Sequence, residues 1–484
     1  MRLRHSPAAL AALVLCTIAA GAAATPGSRA GAEAASRFPS FDAAPCCQLC
    51  PLASVPEAYN TAFLRSFRVL HEGEHGWLFR SVDDLRTDFG PNDHALRELA
   101  RLDDALARRG VELVMVVQPP RGLMHRDQLG AIDRARYNAQ LAQFSYVHAL
   151  QRLRSAGLVV PDLERLVYEG GGDSFFFRAD HHWTPDGARR TAQLVANRIR
   201  AMPEYVQLPR KPFVTRQEGL FGKRGTMHKA VQQLCGFGAR EQYVASFVTE
   251  PAGESDGAGL LGDSTAPQIT LVGTSNSDPA YNFAGFLSQF LEVDVLNAAL
   301  AGGGFAGSLM TYLASPEFRS ATPRILVWEV EAYHDFSDDR FYRQLLPLVD
   351  DGCNTRPVLL DAGKALHPGR NEILFNGGGE VRELRSDDYF VDLQFSDPSV
   401  HKLDATVWYS NGRRDDVTLE PEQANAAGRF MFELRDDGEW AGYTFLALDV
   451  QMDPAPPDRA RLEARLCPRV GGGGAATTAS AEAP

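Results

Sequence analysis

The chain is predicted to fold as an α/β domain with a mainly parallel sheet, followed by an all-β module of the sandwich or barrel kind. From about Tyr59 to Val349, apolar runs alternate with stretches of helical spacing, the strand-then-helix order that builds parallel sheets. After Cys353 the text changes to short β-rich runs separated by Gly, Asn and Asp, as in antiparallel sandwiches. Hydrophobic residues make up 44% and charged residues 23% of 484, enough apolar surface to bury a core in a chain of about two to four domains.

Arg2 and Arg4, the apolar stretch from Ala8 to about Ala20, and Ala22-Ala23-Ala24 before Thr25 read as a signal peptide over 1–24. The stretch is too short and alanine-rich for a membrane anchor, and Leu13-Val14-Leu15 before Cys16 lacks the small residue that lipidation expects. Residues 25–45 are a flexible lead-in rich in Ala, Gly, Ser and Pro. The α/β domain is assigned to 46–350. Its first helix is predicted over Asp93–Arg109, with Leu96, Leu99, Leu102 and Leu106 at helical spacing and Gly110 ending it. Val111–Val117 follows as a buried parallel strand. A helix over Gln140–Ser155, a short strand at Leu158–Val160 and a helix from Thr184 to about Ala201 continue the pattern. Ile269–Val272, a helix near Tyr281–Leu291, Val293–Leu296 and Ile325–Glu329 complete it. The β module is assigned to 351–468, with strands at Glu372–Phe375, Asp388–Phe395, Ala405–Tyr409, Arg429–Leu434 and Thr444–Leu448, and a disordered tail over 469–484.

Beyond Cys16, the cysteines are Cys46, Cys47, Cys50, Cys235, Cys353 and Cys467. In an exported chain they read as disulfides of an oxidising compartment. Zinc is the rival reading for Cys47 and Cys50, but a second C-x-x-C pair is missing, and no metal or cofactor is expected. Cys353 and Cys467 flank the β module as a staple would. The net charge of −12, made more negative by loss of Arg2 and Arg4, argues against nucleic acid as a partner. An anionic ligand would need a local basic patch.

The strongest site begins at Leu271-Val272-Gly273-Thr274-Ser275-Asn276-Ser277, where a strand ends in a glycine turn that exposes a serine. Open parallel sheets bind ligands at the carboxyl ends of their strands, which makes Ser275 a candidate nucleophile; alternatively Thr274 and Ser275 only cap the next helix. A serine needs a base and the base needs orienting. Arg178-Ala179-Asp180-His181-His182-Trp183-Thr184-Pro185 offers both: in an extended segment Asp180 and His182 share a face. A metal at the D-H-H cluster and a structural Asp–His hydrogen bond are the alternatives. Arg121, just past a core strand, is a candidate for holding an anion at the site edge, or a surface ion pair. Trp183 and Tyr281 are candidate pocket residues, Tyr281 otherwise packing in the core. Gly303, in Asn297–Gly304, is a candidate for close backbone approach and an oxyanion N–H, or for a tight turn. In the β module, Asn411-Gly412 reads as a hairpin turn. Lys402, Thr406, Trp408 and Arg414 around it suit an anionic sugar chain, the ring stacking and the cations pairing carboxylates; Trp408 is otherwise the core aromatic of the sandwich.

These motifs resemble a known family. Gly76-Trp77-Leu78-Phe79-Arg80, Leu85-Arg86-Thr87-Asp88-Phe89-Gly90, Asp180-His181-His182-Trp183-Thr184-Pro185, Val272-Gly273-Thr274-Ser275-Asn276-Ser277, Ala280–Leu287, Gly302–Phe305, Ser396–His401 and Asn411–Arg414 are similar to stretches of the periplasmic alginate O-acetyltransferases of Gram-negative alginate producers. The resemblance covers nearly the whole chain after residue 24. It implies an SGNH-hydrolase-like domain of permuted topology, with the Asp–His pair ahead of the serine, followed by a carbohydrate-binding module. It makes Ser275 the nucleophile, His182 the base and Asp180 the orienting acid, and implies disulfides Cys50–Cys235 and Cys353–Cys467. Cys46 and Cys47 are extra to that pattern, and Asp404 stands where a basic residue is expected in the polymer-binding stretch.

The expected activity is transfer of acetyl groups to mannuronate residues of alginate in the periplasm, through an acetyl-serine. The expected partners are the anionic polysaccharide, membrane-associated acetyl-donor proteins and the outer-membrane export complex, with the chain itself a monomer. An acetylesterase with the same triad and a non-catalytic polymer-binding scaffold are the alternatives.

Overall fold

The computed structural model describes residues 49–172, 174–238, 240–252, 266–419, 427–453 and 460–469. The expected signal peptide, the lead-in, Cys16, Cys46, Cys47 and all but the first residue of the expected tail lie outside them.

An antiparallel ribbon of β1 (Leu70–Glu72) and β2 (Leu78–Arg80) opens the α/β part. Helix Asp93–Arg108 follows, capped by the Asn92 side chain and burying Ala95, Leu99, Leu102 and Leu106, one apolar stripe at three-to-four spacing. It ends where β3 (Glu112–Gln118) begins, buried at every position after Glu112. Helices Ala139–Ser155 and Pro185–Arg200 come next, the second capped by Thr184 with Pro185 in its first turn. A hairpin of β4 (Phe213–Lys223) and β5 (Gln242–Pro251) interrupts the alternation. The chain then resumes with β6 (Ile269–Val272), helix Phe283–Leu291, β7 (Val295–Asn297) and β8 (Ile325–Glu331).

The main sheet has the order β3-β8-β6-β7 and is parallel throughout. The last strand is therefore inserted at the centre, and the carboxyl ends of β3, β6, β7 and β8 share one edge, where ligands are bound in such sheets. Leu158–Val160 contributes only one parallel bridge, Val114 to Val159, because Pro161 supplies no N–H to extend the ladder.

The C-terminal part is a two-sheet sandwich. It contains β9 (Leu360–Ala365), β10 (Gly369–Phe375), β11 (Tyr389–Phe395), β12 (Leu403–Tyr409), β13 (Arg414–Leu419), β14 (Arg429–Glu433), β15 (Phe445–Met452) and β16 (Arg461–Pro468). One sheet runs β10-β15-β12-β13 and the other β14-β11-β16-β9, all pairs antiparallel. Val391, Leu393, Val407, Phe432, Leu448 and Leu462 fill the space between them. Asn411-Gly412 forms the β12–β13 turn, with Gly412 at φ 83°, where a side chain would be strained.

Disulfides join Cys50 to Cys235 and Cys353 to Cys467. The second ties the entry of the sandwich to its last strand. Helix Asp339–Val349 leads from β8 to the sandwich. Its Arg343 donates to the Asp415 carboxylate at 2.7 Å and to the Glu433 carbonyl at 2.8 Å, while Arg101 forks onto the Glu433 carboxylate at 2.9 and 3.0 Å.

Candidate active site

β6 ends at Val272, and Gly273 turns the chain into a single 3-10 turn over Ser275–Ser277. Thr274 caps that turn, its hydroxyl accepting from the Asn276 N–H at 3.1 Å. Capping and catalysis are thus divided between neighbours: Thr274 holds the turn and Ser275 projects from it. The Ser275 hydroxyl lies 2.7 Å from His182 Nε2, and His182 Nδ1 is hydrogen-bonded to Asp180 Oδ1.

The Asp–His segment is not the extended strand expected of it. Phe176 and Trp183 form an antiparallel bridge, and the residues between them turn back. Asp180 Oδ1 also accepts from the His182 backbone N–H at 2.9 Å, a side-chain turn that aspartate favours. The i, i+2 spacing therefore brings the pair together through a turn, not a strand face. Asp180 Oδ2 accepts from the N–H of Thr226 at 2.7 Å and its hydroxyl at 3.2 Å.

Lys223, at the end of β4, places Nζ 3.6 Å from Asp180 Oδ1 and hydrogen-bonds the Tyr281 hydroxyl. Burial of Asp180 would raise its pKa, but the His182 hydrogen bond and the electrostatic pull of His182 and Lys223 outweigh this and hold the carboxyl well below its ordinary range. Burial, then the neighbouring His182, pushes His181 down, keeping it neutral. Burial also lowers Lys223, against the pull of Asp180. Asp180, His181 and His182 put three donor atoms within 4.8 Å of one another. The Asp180 oxygens are nevertheless taken by His182 and Thr226, and the adjacent ammonium repels a cation. The set fits an orienting acid better than a metal.

The other sequence candidates divide. Tyr281 packs its ring 5.4 Å from that of His182, and burial raises its hydroxyl. Trp183 is fully buried; its indole N–H donates to the Asn276 carbonyl at 2.6 Å, so it supports the serine turn from beneath instead of meeting substrate. Arg121 lies inside the fold, not at a site edge. Its guanidinium donates to the carbonyls of Leu78 and Arg178 and stacks 4.8 Å from the Trp77 ring, and burial lowers it to about 10. The Gly303 N–H donates to the Leu300 carbonyl at 3.1 Å, so it serves a tight turn and is not an oxyanion donor. That turn borders a cavity of about 300 Å³ shared with Phe305 and His334.

On β12, Asp404, Thr406 and Trp408 point away from the sandwich core. Trp408 is half-buried on that outer face. Its indole donates to Asp449 at 2.5 Å, and Arg370 and Arg414 lie 5.2 and 6.0 Å from its ring. Lys402 pairs with Asp404 at 3.2 Å, and Thr406 donates to Asp416 at 2.9 Å.

Sequence reasoning missed Lys223, Thr226, Glu329 and Glu331. The first two lie more than forty residues from Asp180 with no motif to mark them. The glutamates had a signal, being acids in an otherwise apolar buried strand, Ile325-Leu326-Val327-Trp328-Glu329-Val330-Glu331. Beside the triad, a cavity of about 370 Å³ is lined by Phe177, Asp180, Lys223 and the basic side chains Arg178, Arg224 and Arg240.

Residues 70–332 match the family model described as an SGNH hydrolase-like domain, acetyltransferase AlgX, and residues 352–480 match a C-terminal carbohydrate-binding module. The alginate biosynthesis protein AlgX of Pseudomonas aeruginosa is 44% identical over 454 residues, 94% of each chain. A probable alginate O-acetylase, AlgJ, of the same organism is 32% identical over 292 residues, 58% of this chain and 71% of that one. A solved structure of Pseudomonas aeruginosa AlgX superposes with a TM-score of 0.79 at 43% identity, covering 87% of this chain and all of that one. With the SGNH-like model matching over half of its residues and a relative matching along nearly its full length, the chain belongs to the AlgX family.

Proposed function

We propose that this protein acetylates alginate in the periplasm by two-step acyl transfer through an acetyl-serine. The observation that carries the reading is the hydrogen-bonded series Ser275–His182–Asp180 in a family whose relatives are named for alginate biosynthesis and O-acetylation. In the first step His182 Nε2 takes the Ser275 proton as the oxygen attacks the acetyl carbonyl of a donor presented by a membrane-associated partner. The proton then passes to the departing donor group, leaving acetyl-Ser275. In the second step His182 removes the proton of a C2 or C3 hydroxyl of mannuronate. That oxygen attacks the ester, and Ser275 leaves with the proton. Asp180 holds the imidazole tautomer and stabilises the imidazolium formed in each step. The Ser275 N–H, first in its turn and without an intrahelical acceptor, is the candidate oxyanion donor.

The outer face of β12 and β13, with Trp408 between Arg370 and Arg414, supports polymer retention by the module: a flat ring for the sugar and cations for its carboxylates. The two disulfides fit an oxidising compartment, and no helix among the described residues is long and apolar enough to cross a membrane.

The test is intact mass spectrometry of the protein with an activated acetyl ester and short mannuronate oligomers, beside Ser275→Ala. Acetyl gain on the oligomers that requires Ser275 supports the transferase. Donor consumption with bare oligomers indicates an esterase, and no acylation of Ser275 leaves a binding scaffold.

A further inference from the structure

Every residue flanking Ser275 in its turn is fastened to the carboxyl groups of β8. Thr274 donates its N–H to Glu329 at 2.9 Å and its hydroxyl at 3.0 Å, and Ser277 donates its hydroxyl at 3.1 Å. Asn276 donates its side-chain amide to Glu331 at 2.8 Å, and Glu331 in turn meets His334 at 2.5 Å. Glu329 is fully buried and Glu331 nearly so. Being two apart on a strand, they face the same side, directly under the end of the neighbouring β6. Gly273 reflects the same constraint: a Cβ there would stand 2.7 Å from the Glu329 carboxyl, so glycine is what admits the carboxyl to the turn. Two acids in a dry sheet interior are expensive unless something uses them. What they hold is the one loop that must keep Ser275 within reach of His182.

We infer that Glu329 and Glu331 are positioning residues that clamp the nucleophile turn, so that the rate of Ser275 acylation depends on the hydrogen bonds Glu329 accepts from Thr274 and Ser277. The inference rests on the proposed acetyl-serine chemistry. Burial, then the charge of Glu331, raises Glu329 to about 8; at Glu331 burial is outweighed by His334 together with its other neighbours, which bring it to about 2. The pair therefore carries one negative charge at neutral pH, and a neutral amide can replace Glu329. None of the clamp residues touches substrate; they act through the loop, by keeping the nucleophile in its attacking geometry.

The experiment follows Ser275 acetylation by an aryl acetate, by intact mass in single turnover, in the wild type, Glu329→Gln, Glu329→Leu, Thr274→Val and Ser277→Ala. Near-ultraviolet circular dichroism is recorded for each. Glu329→Gln should acylate within about threefold of the wild type, whereas Glu329→Leu should fall at least about thirtyfold. Ser277→Ala, which keeps the carboxyl, should lose about three- to tenfold, the worth of about one hydrogen bond, and Thr274→Val, which also removes the cap on Asn276, at least as much. Binding of mannuronate oligomers should be unchanged in all. Wild-type acylation rates in both Thr274→Val and Ser277→Ala overturn the clamp, including where Glu329→Leu fails to fold. A Glu329→Gln variant that is folded yet as slow as Glu329→Leu also overturns it. An unlabelled wild-type Ser275 refutes the acetyl-serine reading itself, which separates the two failures.

Discussion

At the scale of single residues, Asp180 gathers more hydrogen bonds than an orienting acid strictly needs. It receives the imidazole and backbone N–H of His182 and both donors of Thr226. Asp180→Asn keeps the shape but faces Thr226 and Lys223 with an amide and no longer selects the imidazole tautomer. The single-turnover acylation rate is expected to fall by about 10²–10⁴, with the near-ultraviolet spectrum retained. Glu329 makes a prediction of the opposite kind, about stability and pH. It stays protonated in the fold up to about 8, whereas in the unfolded chain it ionises near 4.3. Between those values the unfolded state binds fewer protons, so this group's contribution to stability is full below about pH 4 and declines as pH rises toward 8. The urea midpoint of the wild type relative to that of Glu329→Gln should fall from pH 5 to 8, the difference that isolates this group.

Elements decide how these residues meet. Lys223 reaches Asp180 only because it ends β4 of the β4–β5 hairpin, which brings it beside the site. Removing the ammonium in Lys223→Met deletes its contacts with Asp180, His182 Nδ1 and the Tyr281 hydroxyl, of which the charged one to Asp180 is worth about 1.5 kcal/mol. Acylation should slow about tenfold while KM for an aryl acetate stays within about twofold. Thr226 begins the helix that ends at Cys235, and Cys50 fastens that helix to the N-terminal segment across 185 residues. Cys235→Ser should cost about 2–4 kcal/mol of stability, read as a lower urea midpoint, with Ser275 still acylated below the transition.

The whole molecule joins an α/β part to a sandwich through the half-buried arginines Arg101 and Arg343. Glu433 is the shared acceptor. Its carboxylate takes Arg101 and lies 3.3 Å from Arg469, which is itself buried. Glu433→Ala removes one carboxylate from each cation, Arg101 keeping Glu98 and Arg469 keeping Asp436, and about 1.5 kcal/mol of stability should be lost, with the two parts melting in separate steps by calorimetry. The outer face of β12 lies away from this joint. Trp408→Ala should weaken binding of mannuronate oligomers about tenfold and leave Ser275 acylation by an aryl acetate unchanged, measured by calorimetric titration and intact mass.

The sequence by itself determined the alternation of strand and helix, the late change to β structure, the Asn411-Gly412 turn and the serine and histidine motifs. All of these are written in local periodicity, caps and turn residues, which act over a few positions. It did not mark β9, with Gly363 and Ala365 in place of branched residues, or the polar run of β4, because those strands owe their form to partners far along the chain. Nor did it separate Arg121 from a surface ion pair, or Trp183 from a substrate contact, since burial is a property of the folded whole. Tertiary structure alone set the insertion of β8 beside β6. That insertion brings Glu329 under the nucleophile turn, and the hairpin's return brings Lys223 to Asp180. Both are contacts between residues more than forty positions apart, which no local pattern encodes and which form only when the core closes.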